Sequence, residues 1–276
     1  MDEVIQKLAS RDNSAPDDYT ENGIRMCGKC HTPKQAWIDI DGDPRLVPVT
    51  CKCAQARMEQ EEAARRKTEF TARMTALQEA YEVSDMAFRA DTFERDDRLQ
   101  PKLSDACRRY VDQWETMKAN STGLLFYGTV GTGKSFFAGA ITNALLEKCV
   151  PATVTNFPRL LNILQSERNR QQVIDHLRAY HLLVIDDLGV ERDSTYAAEQ
   201  IYGVIDARVR SRLPLIVTTN LTMDEFKDAP SMQFKRIYDR VLEACPVTLK
   251  LLGESRRVSI AAVRGANARK LMGLDT

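Results

Sequence analysis

Gly128-Thr129-Val130-Gly131-Thr132-Gly133-Lys134-Ser135 decides how the rest of this chain is read. The octet fits G-x-x-x-x-G-K-[ST], and its surroundings matter as much as its letters. Leu124–Tyr127 ahead of it is a short apolar run that predicts a buried strand. From Lys134 onward Phe137, Ile141, Ala144 and Leu145 recur at helical spacing, which predicts a helix over 134–148. A strand that breaks into a glycine-rich turn and then a helix separates a phosphate-binding loop from a chance turn. The glycines let the backbone curl until several N–H groups point at one place. The helix N-terminus adds its own N–H groups and the positive end of its dipole. Lys134 then offers a cation to the β- and γ-oxygens of a nucleotide, and the Ser135 hydroxyl a ligand for Mg²⁺. The candidate nucleotide contacts run from Gly128 through Phe136.

The flanking sequence repeats the alternation. Ala152–Thr155 predicts a strand, Leu160, Leu161 and Leu164 a helix beginning at Pro158, and Leu182–Ile185 a central strand. Residues 195–211 predict a helix and Leu215–Thr218 a further strand. A helix over about 102–119 precedes the loop, with Leu103, Cys107, Tyr110, Val111 and Trp114 on one face. This pattern specifies an α/β fold with a parallel sheet covered by helices on both faces. Beyond about 224 come a helix, two strand-like runs (Val247–Leu251 and Val258–Ala262) and a basic tail.

The Leu182 run ends in Asp186-Asp187, roughly 50 residues after the loop. Asp186 is placed to hold Mg²⁺ with its hydration shell, and Asp187 to orient or deprotonate an attacking water. The same pair could instead cap the following helix. Leu215–Thr219 ends in Asn220, which on chemistry alone reads equally as a water-positioning amide or a turn residue. Arg236 and Arg240 could reach the γ-phosphate of a neighbouring copy, and Arg256-Arg257 could close over nucleotide in the same chain. A solvated helix surface accounts for these arginines as well.

The first quarter has a different character. Cys27-Gly-Lys-Cys30 and Cys51-Lys-Cys53 stand 20 residues apart, with too little apolar sequence between them for a core. Two such pairs complete a tetrahedral Zn²⁺ site, although the C-x-C half is tighter than the common spacing and His31 could replace one sulfur. Cys107, Cys149 and Cys245 read as small core residues. Residues 1–25 read as a short helix and a loop, and 54–76 as a charged connecting helix with no broad apolar stripe. The organisation expected is an N-terminal region over 1–76, a linker over 77–101 and a nucleotide-binding domain over 102–276.

Lys+Arg and Asp+Glu are equal at 39 each across the 276 residues, so no global field draws the chain to nucleic acid or an anionic membrane. DNA contact would need a local patch, such as Arg208, Arg210 and Arg212 or Arg264, Arg269 and Lys270. No run of about 18 apolar residues predicts a membrane span, and the N-terminus MDEVIQKLAS lacks the apolar core of a signal peptide. A cytoplasmic location is the default expectation.

Several motifs in one order resemble a known family. Phe88-Arg-Ala-Asp-Thr-Phe93 stands ahead of the loop, and Asp186-Asp-Leu-Gly-Val-Glu-Arg192 and Pro214-Leu-Ile-Val-Thr-Thr-Asn-Leu221 follow it. Arg236-Ile-Tyr-Asp-Arg240 and Gly253-Glu-Ser-Arg-Arg257 come last. The set resembles AAA+ replicative-helicase loaders of the DnaC/DnaI type, including phage-encoded versions, over roughly 80–276. The resemblance implies an ATPase that binds ATP with Mg²⁺, forms an ATP-dependent homo-oligomer and places a hexameric DnaB-type helicase on single-stranded DNA. It implies that the N-terminal module contacts the helicase. It makes Asn220 the sensor 1 residue, Arg240 or Arg236 the arginine finger and Arg257 the sensor 2 residue. Most AAA+ proteins carry Glu where Asp187 stands, so slow hydrolysis is expected. Transposition helpers of the IstB type share nearly the same domain and are the alternative. A zinc-containing adaptor without turnover and a small-molecule kinase are more distant readings.

Overall fold

The computed structural model describes residues 13–40, 42–81, 84–166, 170–189, 195–253 and 255–274. By internal contacts the chain divides into two units, Met1–Ala72 and Arg73–Thr276.

In the first unit two small hairpins flank the cysteine knuckle. β1 (Tyr19–Glu21) pairs with β2 (Ile24–Met26), and β3 (Gln35–Ile40) with β4 (Asp43–Pro48), both antiparallel. The first hairpin falls where a loop was expected; its three-residue strands are too short for periodicity to register. The expected N-terminal helix falls on residues 1–12, outside the described residues. The long helix α1 (Lys52–Tyr81) matches the expected charged helix and extends it at both ends. Its exposed face carries i,i+4 pairs such as Arg66–Glu62 and Arg57–Glu61.

The second unit is the parallel α/β fold that the sequence predicts. α2 (Pro101–Asp112) and α3 (Trp114–Ala119) break the expected 102–119 helix at Gln113. Next come β5 (Leu124–Gly128), α4 (Lys134–Glu147), β6 (Ala152–Asn156), α5 (Phe157–Ser166), α6 (Arg170–Leu177) and β7 (Leu182–Leu188). α7 (Thr195–Arg210), β8 (Leu215–Thr219), α8 (Met223–Lys227), α9 (Met232–Ala244), β9 (Val247–Leu251) and α10 (Arg256–Leu271) complete it. The sheet order is β6-β7-β8-β5-β9, with every pairing parallel.

Period-2 alternation divides the strand residues between two cores. Leu125, Leu183, Ile185, Leu215 and Val217 face one core, with α5, α6, α7 and α9 over them. Leu124, Phe126, Leu182, Val184 and Ile216 face the other, under α2 and α4. Burial on both faces is why these strands read as unbroken apolar runs.

Four expectations need correction. Val258–Ala262 lies in α10 and is not a strand. Cys149 is exposed, in a left-handed turn at φ 58° that ends α4, while Cys107 and Cys245 are buried as expected. Arg208 is buried and therefore unavailable to DNA. Its guanidinium donates to the carbonyls of Leu177, Tyr180, His181 and Pro214 at 3.3, 2.8, 3.0 and 2.7 Å, joining the end of α6 to the starts of β7 and β8. Burial lowers its pKa to about 9. Residues 84–99, within the stretch expected as a linker, hold two 3₁₀ turns (Met86–Ala90 and Phe93–Arg95) and pack on the sheet unit. Phe93 is buried in the second core, Asp85 N–H donates to Val154 O at 2.8 Å, and Asn143 Nδ2 donates to the carbonyls of Phe88 and Asp91. Among the described residues no helix is long and apolar enough to cross a membrane.

Candidate nucleotide site and cysteine cluster

The site forms where β5 ends. Gly131 and Gly133 take positive φ values of 81° and 102°, which lets the loop double back before α4. Gly133 caps α4 without a side-chain acceptor, so the first-turn N–H groups point into the loop's mouth. Lys134 is almost wholly buried, and its Nζ donates to the carbonyls of Gly128 and Thr129 at 2.9 and 2.8 Å. Thr132 is buried and ties the loop with a 2.9 Å bond to Thr129 O. Val130 is 55% exposed and stands at the rim.

β8 lies between β5 and β7, which brings the ends of all three strands together. Thr218 Oγ1 donates to Asp186 Oδ1 at 2.6 Å and accepts from the Asp187 N–H at 3.0 Å. Asp187 sits at an irregularity of the β7–β8 ladder with φ 59°, which turns its carboxylate out of the sheet edge. There it accepts from Asn220 Nδ2 at 3.1 Å. The sequence left Asn220 equally readable as a turn residue; the structure joins it to Asp187. Burial pushes the Asp186 carboxyl above its ordinary range, while hydrogen bonds from Thr218 and Ser135 oppose the shift. Asp186 and Ser135 are therefore two hard oxygen donors in contact, one a buried carboxylate that a cation would stabilise, and this donor set fits Mg²⁺.

A cavity of about 390 Å³ opens over the loop. Its lining includes Gly131, Gly133, Lys134, Ser135, Phe136, Asp187 and Asn220, all expected from sequence. It also includes Asp91, Arg95, Asp97, Leu99 and Arg256, of which the sequence marks only Arg256 as a candidate. Asp91 belongs to the Phe88–Phe93 motif, whose letters alone assign it no site role. Burial pushes its carboxyl up to about 6; the Arg95 charge opposes this and Asp186 adds to it. Arg256 lies against the P-loop: its N–H donates to Gly131 O at 2.9 Å. The side chain of Arg257 lies outside the described residues.

Arg236 and Arg240 are elsewhere, on α9 against α7. Arg236 sits over the Tyr202 ring at 4.7 Å, and Arg240 Nη2 is 3.2 Å from Asp206 while Nη1 donates to Glu243. Hydrogen bonding to Tyr202 and Glu243 raises the Arg240 pKa. Neither arginine is among the described residues that line the cavity.

In the first unit the Sγ atoms of Cys27, Cys30, Cys51 and Cys53 all lie within 4.8 Å of one another. Cys53 Sγ stands 3.5 Å from those of Cys27 and Cys51, close to the edge of about 3.8 Å set by a tetrahedron with Zn–S bonds of about 2.3 Å. Backbone N–H groups of Cys30 and Lys29 lower the Cys27 pKa. The Thr32 hydroxyl and the Cys53 N–H hold Cys30 down at about 5. Cys53 is pushed up to about 12 by its contacts with Cys27, Cys51 and Cys30. Sulfurs this close ionise together only with a cation among them, so the donor set fits zinc. His31 is not part of the cluster; its Nδ1 lies 3.2 Å from the Tyr19 hydroxyl. Lys34 and Asp18 form a buried 2.6 Å ion pair beside the knuckle.

Residues 53–261 match the family model described as IstB-like ATP binding protein. The chain belongs to the IstB-like ATP-binding protein family. This IstB-like chain is 27% identical over 149 residues to the replicative helicase loader DnaI of Bacillus subtilis (strain 168), covering 49% of this chain and 47% of that protein. It is 29% identical over 139 residues to the replicative helicase loader DnaC of Escherichia coli (strain K12), covering 49% of this chain and 54% of that protein. It thus spans about half the length of the curated relatives it matches. A crystal structure of the DnaC helicase loader superposes with a TM-score of 0.52 at 22% identity, covering 61% of this chain and all of that one. The fold of the IstB-like chain is thereby that of the AAA+ P-loop ATPases.

Proposed function

We propose that this chain is an ATP-dependent loader that places a hexameric DnaB-type helicase on single-stranded DNA. The observation that carries the ATPase part is the network Asp186–Thr218–Asp187–Asn220 beside the P-loop. It provides, next to a phosphate cradle, one carboxylate for a metal and another for a water. Likeness to proteins named helicase loaders supports the choice of partner.

In this reading the N–H groups of Gly131–Ser135 and the Lys134 ammonium hold the phosphates. Ser135 and Asp186 would hold Mg²⁺, which when bound neutralises phosphate charge. Asp187 accepts a proton from water at its carboxylate, and the Asn220 amide fixes that carboxylate's direction. Arg240 or Arg236 acts on the nucleotide of a neighbouring copy, and Arg256 or Arg257 on that of its own chain. The N-terminal region, 1–76, contacts the helicase through the cysteine module, where Trp37 and Ile38 are 58% and 43% exposed. With Arg208 buried, DNA phosphates fall to exposed cations such as Arg212, Arg264 and Lys270. A second reading, an ATP-binding transposition helper of the IstB type, is compatible with the match to the IstB-like family model.

Mass measurement of the chain mixed with a purified hexameric helicase separates the two readings. A complex that forms with ATP and is weakened by Arg240→Ala is expected. Binding to a transposase, with none to the helicase, would favour the second reading and overturn the first.

A further inference from the structure

Two stretches distant in sequence meet above the P-loop. One is Asp97–Gln100, after the second 3₁₀ turn; the other lies between β9 and the first turn of α10. Gln100 Nε2 donates to Leu252 O at 3.0 Å, and Arg256 Nη2 lies 3.2 Å from Asp97 Oδ1. The second stretch rests on the loop itself. The Arg256 N–H bonds to Gly131 O, and a Cβ on Gly133 would stand 3.3 Å from Arg256 Cζ. A Cβ on Gly131 would collide with the Ser255 hydroxyl. The two loop glycines therefore do more than curl the backbone; they leave the room in which Ser255 and Arg256 sit.

The geometry points to Asp97 as a positioning residue that competes with nucleotide phosphate for Arg256. This inference rests on the reading that the P-loop binds a nucleoside triphosphate. A guanidinium presents a planar fork of donors that suits phosphate and carboxylate alike. A triphosphate held by Gly131–Ser135 brings several negative charges to within a side-chain rotation of Arg256. The guanidinium then turns from Asp97 to phosphate oxygens, and Asp97, already 42% exposed, returns to water. The junction between the segment ahead of α2 and the start of the C-terminal helix thereby loosens with nucleotide binding. Part of the triphosphate's interaction with Arg256 is offset by the lost ion pair, which lowers its apparent affinity. The pair is partly solvated, so the effect is small, about two- to fivefold.

A double-mutant cycle on the full chain, read by equilibrium titration with Mg·ATP, tests this. Asp97→Asn keeps the side chain's shape and removes its charge. It should tighten Mg·ATP about two- to fivefold in the otherwise native chain and have no effect in an Arg256→Gln background. An equal gain in both backgrounds would mean that Asp97 simply repels the polyphosphate. No gain, or a loss, in the native background would mean that the pair does not compete. Either result overturns the inference. Thermal unfolding of each variant identifies any that fail to fold, and the uncharged Arg256→Met then replaces Arg256→Gln in the cycle. If the native chain shows no affinity for Mg·ATP, the nucleotide-binding reading fails and the inference falls with it.

Discussion

Asp187→Asn should lower steady-state ATP turnover by about a hundredfold or more while leaving affinity for Mg·ATP nearly unchanged. The substitution keeps the shape of the side chain that receives the Asn220 amide, so the strand ends stay in register. It removes the only property the proposed role needs, a carboxylate that can take a proton from water. Asn220→Ala should give a smaller loss in the same direction, because the amide directs Asp187 and does not itself accept the proton. Combining the two should cost little more than Asp187→Asn alone, since both act through one carboxylate. Phosphate release under saturating ATP reads all three variants. Turnover unchanged in Asp187→Asn would remove that residue from the chemistry and leave a protein that works by binding alone.

Stripping metal from the cysteine cluster should unfold the first unit and spare the second. Between its hairpins the unit has little apolar sequence, and Trp37 and Ile38 face outward. Without a metal there is nothing for the chain to close around. A chelator, or Cys51→Ser, should release stoichiometric zinc and make residues 13–50 sensitive to protease, while Mg·ATP binding persists. Acid should act in the same direction, because the ligands are thiolates and protonation competes with the metal. Native protein containing no zinc, or a protease-resistant first unit after chelation, would contradict this.

The legible parts of the sequence were those whose physics is local. β5, the loop and α4 occupy consecutive residues, so their letters alone carry strand, curl and helix. β7 and β8 were readable because strands covered on both faces must be apolar throughout. Asp186 and Asp187 stood out because charge at the end of such a strand has few structural uses. The missed features depend on distant partners. Asp91, Asp97 and Leu99 reach the cavity only because Phe93 is buried in the second core and Asn143 holds the turn ahead of it. The Arg208-Val-Arg210-Ser-Arg212 spacing suggests a surface stripe, yet the first arginine lies inward against carbonyls up to 31 residues away. Val258–Ala262 holds two β-branched residues, Val258 and Ile260, which suit a strand, whereas the chain there continues the helix begun at Arg256. Arg256 is one of an adjacent pair in the sequence, and its contact with Gly131 distinguishes it.

Equilibrium titration of Mg·ATP into the intact chain and its Lys134→Ala variant tests most directly that the P-loop is a triphosphate site. The native chain should bind, and the variant should bind at least about a hundredfold more weakly, since it loses the one ammonium group placed at the centre of the loop. Equal affinity in the two proteins, or none in the native chain, would contradict it.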